Sequence, residues 1–184
     1  MKRRERNHWK GLVLGTVGGA AGVIAMAWYW KAASALAGGD PRKQAHNPEP
    51  HALDSITLIG EHHEEGESTT AAVGRILYRR ATGKNPESEE TRNALSYLVH
   101  WAFSMLTSGI YGAIRGRADF PDVKGGLSLG VGLWLIGDEL GTPLLGLAKG
   151  PTAYPPALHA HGLGAHVAYG IVSAGATQLL HRFD

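Results

Sequence analysis

The stretch whose reading decides the fold is Gly125–Gly150, "GGLSLGVGLWLIGDELGTPLLGLAKG". Nearly all of it is lipid-soluble, yet Asp138 and Glu139 stand side by side near its middle. In water such a pair is ordinary. At the centre of a bilayer each charged side chain costs about 3 kcal/mol or more. Three further apolar stretches decide between the two settings. Gly11–Trp30, "GLVLGTVGGAAGVIAMAWYW", carries no charge over about the length of a bilayer-spanning helix. Lys10 and Lys31 bracket it, and Trp9 on one side with Trp28, Tyr29 and Trp30 on the other resemble interfacial aromatic anchors. Ala94–Ile114, "ALSYLVHWAFSMLTSGIYGAI", ends at Arg115 and Arg117. The last stretch runs from about His159 to Leu180 and closes with His181-Arg182. Helices of water-soluble proteins show a charged face at helical spacing, and the first, second and fourth stretches show none.

The expected fold is therefore all-α and polytopic: one membrane domain over residues 1–184, a glycine-rich four-helix bundle. Its transmembrane helices fall at about 11–30, 94–114, 125–147 and 159–180. Residues 31–93 form a long, partly helical extracytoplasmic connection between the first and second. Bulk composition agrees. Of 184 residues 18% are charged, below the roughly 25% usual for soluble domains. The mean hydropathy of −0.13 hides segregation, because the charges crowd into residues 1–10 and 31–92. Cysteine is absent, which excludes disulfides and thiolate chemistry. A net charge of +2 with no large basic patch gives nucleic-acid binding no support.

Basic residues of short loops favour the cytoplasmic side. Lys2, Arg3, Arg4, Arg6 and Lys10 precede the first helix, Arg115, Arg117 and Lys124 fill the second connection, and the third carries only Lys149. The chain reads as a bacterial inner-membrane protein with both termini cytoplasmic. A rival reading makes the first stretch a cleaved signal, with Ala25-Met26-Ala27 as the small-x-small site. Its apolar run is long for that role.

Gly11, Gly15 and Gly19 lie four apart on one helical face, Gly18 and Gly22 form a second pair, and Gly126 and Gly130 a third. In lipid, close backbone approach drives helix association, and small residues permit it. These faces serve either packing within the bundle or docking to a second copy or a larger membrane complex. In the exterior segment, 38–51 is a Pro- and Gly-bearing linker. Ser68–Ala81 predicts a helix with Ala72, Ile76 and Leu77 on its apolar face and Arg75, Arg79 and Arg80 on a basic face. Asn85, with Pro86 after it, predicts the next helix start. "EHHEE" offers Glu61, His62, His63 and Glu64 as weak candidates for a transition-metal site.

With that orientation, counting 1.5 Å per residue places Asp138 and Glu139 roughly 12–14 Å inside the outer end of the third helix. His100 falls roughly 9 Å, and His166 roughly 10 Å, from the same side. The expectation is an intramembrane polar cluster of His100, Asp138, Glu139 and His166. Adjacent helical residues diverge, so one carboxylate faces the histidines while the other meets Thr142, a freed carbonyl or a neighbouring subunit. Pro143 removes a backbone donor and frees the carbonyl of Glu139. Three uses stay open: a network that fixes packing, a relay for a proton or small solute, and a metal or haem on His100 and His166.

"LVHWAFSMLTSGIYG", "GLSLGVGLWLIGDELGTPLLGL", "GPTAYP" and "LHAHGLGAHVAYG", in this order, resemble the YagU-like family of uncharacterised bacterial inner-membrane proteins. "ILYRRATGKNPESEETRNA" resembles that family's pre-helix segment. The resemblance covers most of the chain from about Gly74. It implies a small polytopic membrane protein in which His100, Asp138, Glu139, Pro143, Tyr154, Pro155, His159, His166, Tyr169 and Gly170 occupy recurring positions. It brings no activity. The residues themselves show no nucleophile–base pair and no phosphate loop, so an enzyme is not expected. The leading expectation is a module that handles or senses a proton or small solute. The alternative is an accessory subunit of a larger membrane complex.

Overall fold

The computed structural model describes residues 7–43 and 51–183. Lys2, Arg3, Arg4 and Arg6, and the 44–50 part of the linker, lie outside the described residues. Among the described residues every regular element is helical. The first helix, α1, is His8–Leu36, started by Asn7, whose side chain accepts the Lys10 N–H at 3.0 Å. It outruns the expected 11–30 at both ends and continues unbroken through Ala25-Met26-Ala27. Its mean hydropathy of 1.7 and its length suffice to cross a membrane. Among the described residues no other helix meets both criteria.

A 3-10 turn at Pro41–Lys43 follows, then α2, Thr69–Thr82, and α3, Glu89–Arg115. The third apolar stretch is α4, Val123–Gly132, then a π-helical segment Leu133–Gly141, then one α turn, α5, Thr142–Leu144. After a 3-10 turn at Pro151–Ala153 the last helix is α6, Pro156–Leu180. Two expectations are corrected. The start of α3 is capped by Ser88, whose hydroxyl accepts the Thr91 N–H at 3.1 Å, and not by Asn85. Pro86 is fully buried and its carbonyl receives Arg92 Nε at 3.2 Å, so the chain there serves as a brace. On α2 the faces differ from the reading: Arg75 is buried and Leu77 is exposed. An ion partner for Arg75, described below, makes its burial tolerable.

Packing divides the chain into two compact units where the sequence reading treats it as one domain. The first comprises Met1–Lys43, Phe103–Leu133 and Ala160–Asp184; the second comprises Gln44–Ala102 and Trp134–His159. In the first unit, α1 buries Gly11, Gly15, Gly18, Gly19 and Gly22 and exposes Val13, Val17, Ile24 and Trp28. From Phe103 onward, α3 buries Ser104, Ser108, Gly109 and Gly112. It exposes Phe103, Leu106, Ile110 and Ile114, a stripe at helical spacing. Glycine and serine line most of the inner faces of these two helices, with Val23 and Met26 of α1 also inside, while many bulky side chains are exposed.

The glycine faces are occupied within this unit. A Cβ on Gly15 would stand 3.0 Å from the Gly109 Cα, and one on Gly19 2.9 Å from the Ser104 carbonyl oxygen. Gly11 meets Gly112 on the same face. Gly22 lies against α6, where a Cβ would be 2.7 Å from the Tyr169 ring and 2.8 Å from its carbonyl oxygen. Gly126 meets Ile171 and Gly130 meets His166 and Val167 in the same way. Of the two roles open to these glycines, they take packing within the chain. A small apolar core of Val23, Met26, Ala165 and Tyr169 completes the unit.

Candidate functional site

Leu133–Gly141 carries both carboxylates, and its five-residue hydrogen-bond register has a local cause. In that register the N–H that would meet the Asp138 carbonyl belongs to residue 143, a proline. The Thr142 hydroxyl donates to that carbonyl instead, at 2.9 Å. Pro143 thus withholds an N–H from the Asp138 carbonyl in the five-residue register, as it does from the Glu139 carbonyl in the four-residue one. Pro143 itself is buried. π segments of this kind recur at functional sites.

Asp138 is exposed and Glu139 is partly buried. Glu139 Oε1 lies 2.6 Å from His159 Nδ1, and His159 Nε2 lies 2.9 Å from the Pro151 carbonyl oxygen. A carbonyl oxygen only accepts, so Nε2 carries a hydrogen and donates it to Pro151. A 2.6 Å approach of Nδ1 to a carboxyl oxygen then requires one proton between them. That proton sits on the imidazole, making an ion pair, or on the carboxyl, making a neutral bond. Either way the pair as a whole is uncharged, which answers the desolvation cost of a lone carboxylate. The Tyr154 ring meets the His159 ring edge-on at 6.3 Å between centroids. Burial pushes the Tyr154 hydroxyl above its ordinary value, with the nearby Glu139 charge adding to it.

The chain leading to the Pro151 turn is held by residues 51–67 of the same unit. Gly146, at φ 65°, accepts at its carbonyl from the His62 N–H at 2.7 Å and from the His63 N–H at 3.1 Å. The His63 ring Nδ1 also donates to it, at 3.1 Å. The Gly60 carbonyl packs so close to Gly146 that a side chain there would collide. Gly150 N–H donates to the Asp54 carbonyl at 2.8 Å, and the Thr152 hydroxyl to the Asp54 carboxylate at 2.6 Å. The His51 N–H and the Thr152 hydroxyl hold the Asp54 carboxyl below its usual range.

This segment is pinned in turn by Arg75. Its Nε and one terminal nitrogen donate to Glu67 at 2.9 and 2.8 Å, and the same terminal nitrogen donates to the His62 carbonyl at 2.6 Å. Burial raises the Glu67 carboxyl, but the Arg75 bonds and the Glu64 N–H outweigh it and leave the group below its ordinary value. The EHHEE residues are thus spread over separate tasks. Glu61 accepts from Ser55, Glu64 lies 3.4 Å from Arg75, and the two histidines hold Gly146. Among the described residues no three His, Cys, Asp or Glu side chains converge as a metal would need.

Of the expected cluster, Glu139 is joined to His159, a residue the sequence reading ranked as supporting. His100, partly buried on α3, and Asp138 belong to the same unit as this pair. His166 belongs to the other unit and donates from Nδ1 to the Gly162 carbonyl at 2.9 Å. Tyr169, fully buried there, donates its hydroxyl to the Ser104 carbonyl at 2.5 Å.

Two groupings in the first unit had no signal beyond their residue types. Asp122 caps α4 and accepts from the Tyr111 hydroxyl at 2.6 Å and from Arg115 at 2.9 Å twice. Arg115 first, then Tyr111, hold the Asp122 carboxyl below its usual range against its burial. Gln178 clamps the same connection, donating to the Gly116 carbonyl and accepting the Ala118 N–H. Elsewhere Tyr29 and Trp30 surround His161, and Arg42 stacks over Trp30 at 4.9 Å. No protein-family model, curated protein or solved structure matches this chain.

Proposed function

We propose that this chain is a four-span bacterial inner-membrane protein, similar to the YagU-like proteins, that moves or senses a proton or small solute through the Glu139–His159 pair. The spans are those at about 11–30, 94–114, 125–147 and 159–180, with both termini cytoplasmic and residues 31–93 outside. Three features support the membrane setting. Many bulky side chains face outward on α1 and α3, while the inner faces are mostly glycine and serine. Trp9 and Trp28, both exposed, stand 19 residues apart on α1, about 29 Å at 1.5 Å per residue, close to a hydrocarbon core of about 30 Å. Lys31 lies over the Trp28 ring at 5.0 Å, a pairing suited to the headgroup level.

The observation that carries the function is the single proton required between Glu139 and His159. A partly buried carboxyl–imidazole pair can pass that proton on, but losing it leaves two acceptors facing each other, so a change of charge on the pair opens the 2.6 Å contact while Nε2 stays on Pro151. In a low-dielectric setting such a change is costly unless a proton or a small charged solute compensates it. Asp138, exposed on the adjacent position, is the second titrating group of the proposal, and His100 is its nearby imidazole in sequence-depth terms. No cofactor is assigned.

The test uses the full chain in sealed vesicles carrying a pH-sensitive dye and an imposed pH gradient. Wild-type protein is expected to collapse the gradient faster than protein-free vesicles, and Glu139→Gln and His159→Ala to slow it at least tenfold. Equal rates for wild type and Glu139→Gln would defeat the relay form of the proposal.

A further inference from the structure

The second unit carries a small, built turn whose chemistry the proton pair does not use. The chain bends at residues 58 and 59, and the two residues at this tip, Leu58 and Ile59, are 77% and 59% exposed. Two adjacent aliphatic side chains held out on a loop tip are unfavourable in water. Their backbone is prepared for a drier medium. The Leu58 N–H donates to the Leu144 carbonyl at 2.9 Å. The Ile59 N–H donates to the Thr57 hydroxyl at 3.4 Å, and that hydroxyl donates to the Gly60 carbonyl at 2.9 Å. Both tip N–H groups are therefore satisfied inside the protein, which lowers the cost of bringing the tip to the membrane interface.

The tie to Leu144 also fixes where the tip lies. Ile136, Leu140 and Leu145, in the same unit, are themselves 69%, 45% and 50% exposed. They belong to the third apolar stretch, near whose outer end the tip is bonded. The tip is thus tied by its backbone to the end of that stretch. We infer that Leu58 and Ile59 insert into the outer leaflet at the headgroup–acyl boundary, so that the exterior segment is anchored in the membrane as well as to the Gly146 turn. The occupant is phospholipid acyl chain. This rests on the membrane reading above and adds a second, non-helical lipid contact to it.

The absence of cysteine lets single cysteines be labelled without background. The full chain bearing Leu58→Cys or Ile59→Cys is spin-labelled in phosphatidylethanolamine–phosphatidylglycerol vesicles. Collision with oxygen is compared with collision with a water-soluble nickel chelate. Ile136→Cys reports the membrane reading itself, and Glu87→Cys, exposed in the exterior segment, reports water. The inference expects labels at 58 and 59 to show an oxygen-to-nickel ratio severalfold above that at 87, on the lipid side with position 136. A water-like ratio at 58 and 59 with a lipid-like ratio at 136 overturns the inference and leaves the membrane reading standing. Water-like ratios at all four positions overturn both. Protection from both reagents at 58 and 59 would mean a protein covers the tip, and also overturns the inference.

Discussion

Glu67→Gln is the sharpest test of how residues 51–67 are held. Arg75 is 7% exposed and donates two bonds to Glu67 and one to the His62 carbonyl. The amide keeps one acceptor but turns an N–H₂ toward a guanidinium N–H, so one bond becomes a donor–donor contact. The pairing charge and the bond from the Glu64 N–H to Oε2 go with it. Removing one partner of a buried ion pair costs about 3–5 kcal/mol. The Glu64 carboxylate, 3.4 Å from Arg75 but half exposed, can take up part of the charge, which puts the loss near the lower end, about 3 kcal/mol. Because the Glu67 carboxyl is held below its ordinary 4.5, this stability is fully present above that pH. It fades as the pH falls through the depressed folded value, and the variant lacks that acid limb. Denaturant unfolding in mild detergent at pH 7 and through the acid range measures both. The double change Arg75→Met with Glu67→Met should recover much of the loss, since no unpaired charge is left. A Glu67→Gln variant within about 0.5 kcal/mol of wild type would refute the buried pair.

Other expectations follow from the same contacts. Gly22→Ala would drive a Cβ to 2.8 Å from the Tyr169 carbonyl oxygen, backbone that cannot yield cheaply; a loss of about 1–3 kcal/mol in unfolding measurements is expected. Gly132→Ala, at a position with open space, is the control and should not destabilise. Asp122→Asn keeps the left-handed cap at φ 45° but loses the charge-assisted bonds. With Arg115 half exposed the cost is about 1.5 kcal/mol. It is present at neutral pH and vanishes as the wild-type Asp122 carboxyl protonates below its ordinary 3.8, read from acid unfolding curves.

Much of the helix inventory was legible because it depends on local composition. The uncharged run at Gly11–Trp30 and the glycines spaced at four are visible without knowing what packs where. The partner of Glu139 was not legible. Counting residues ranks His100, His166 and His159 along an axis, but carries no azimuth, and hydrogen-bond partnership is decided by azimuth. The π register compounded this: it turns on Thr142 and Pro143 acting together, whereas a count at four residues per turn sends the freed carbonyl to Glu139. Arg75 was misread for a related reason. Its position on α2 suggests a basic face, and only a carboxylate eight residues upstream, on a folded-back segment, lets it be buried. The hold of residues 54–63 on Gly146 and Gly150 is between loops, where periodicity offers nothing to read.

The shared proton is the centre of this account, and ¹⁵N spectroscopy of His159 in vesicles observes it directly. The expected result is an Nε2 that stays protonated across the whole titration, held by Pro151, while the Nδ1 signal shifts as its proton moves to or from Glu139. In Glu139→Gln that Nδ1 transition should move or disappear. An Nε2 that loses its proton first, or an Nδ1 titration indifferent to Glu139→Gln, would contradict the account.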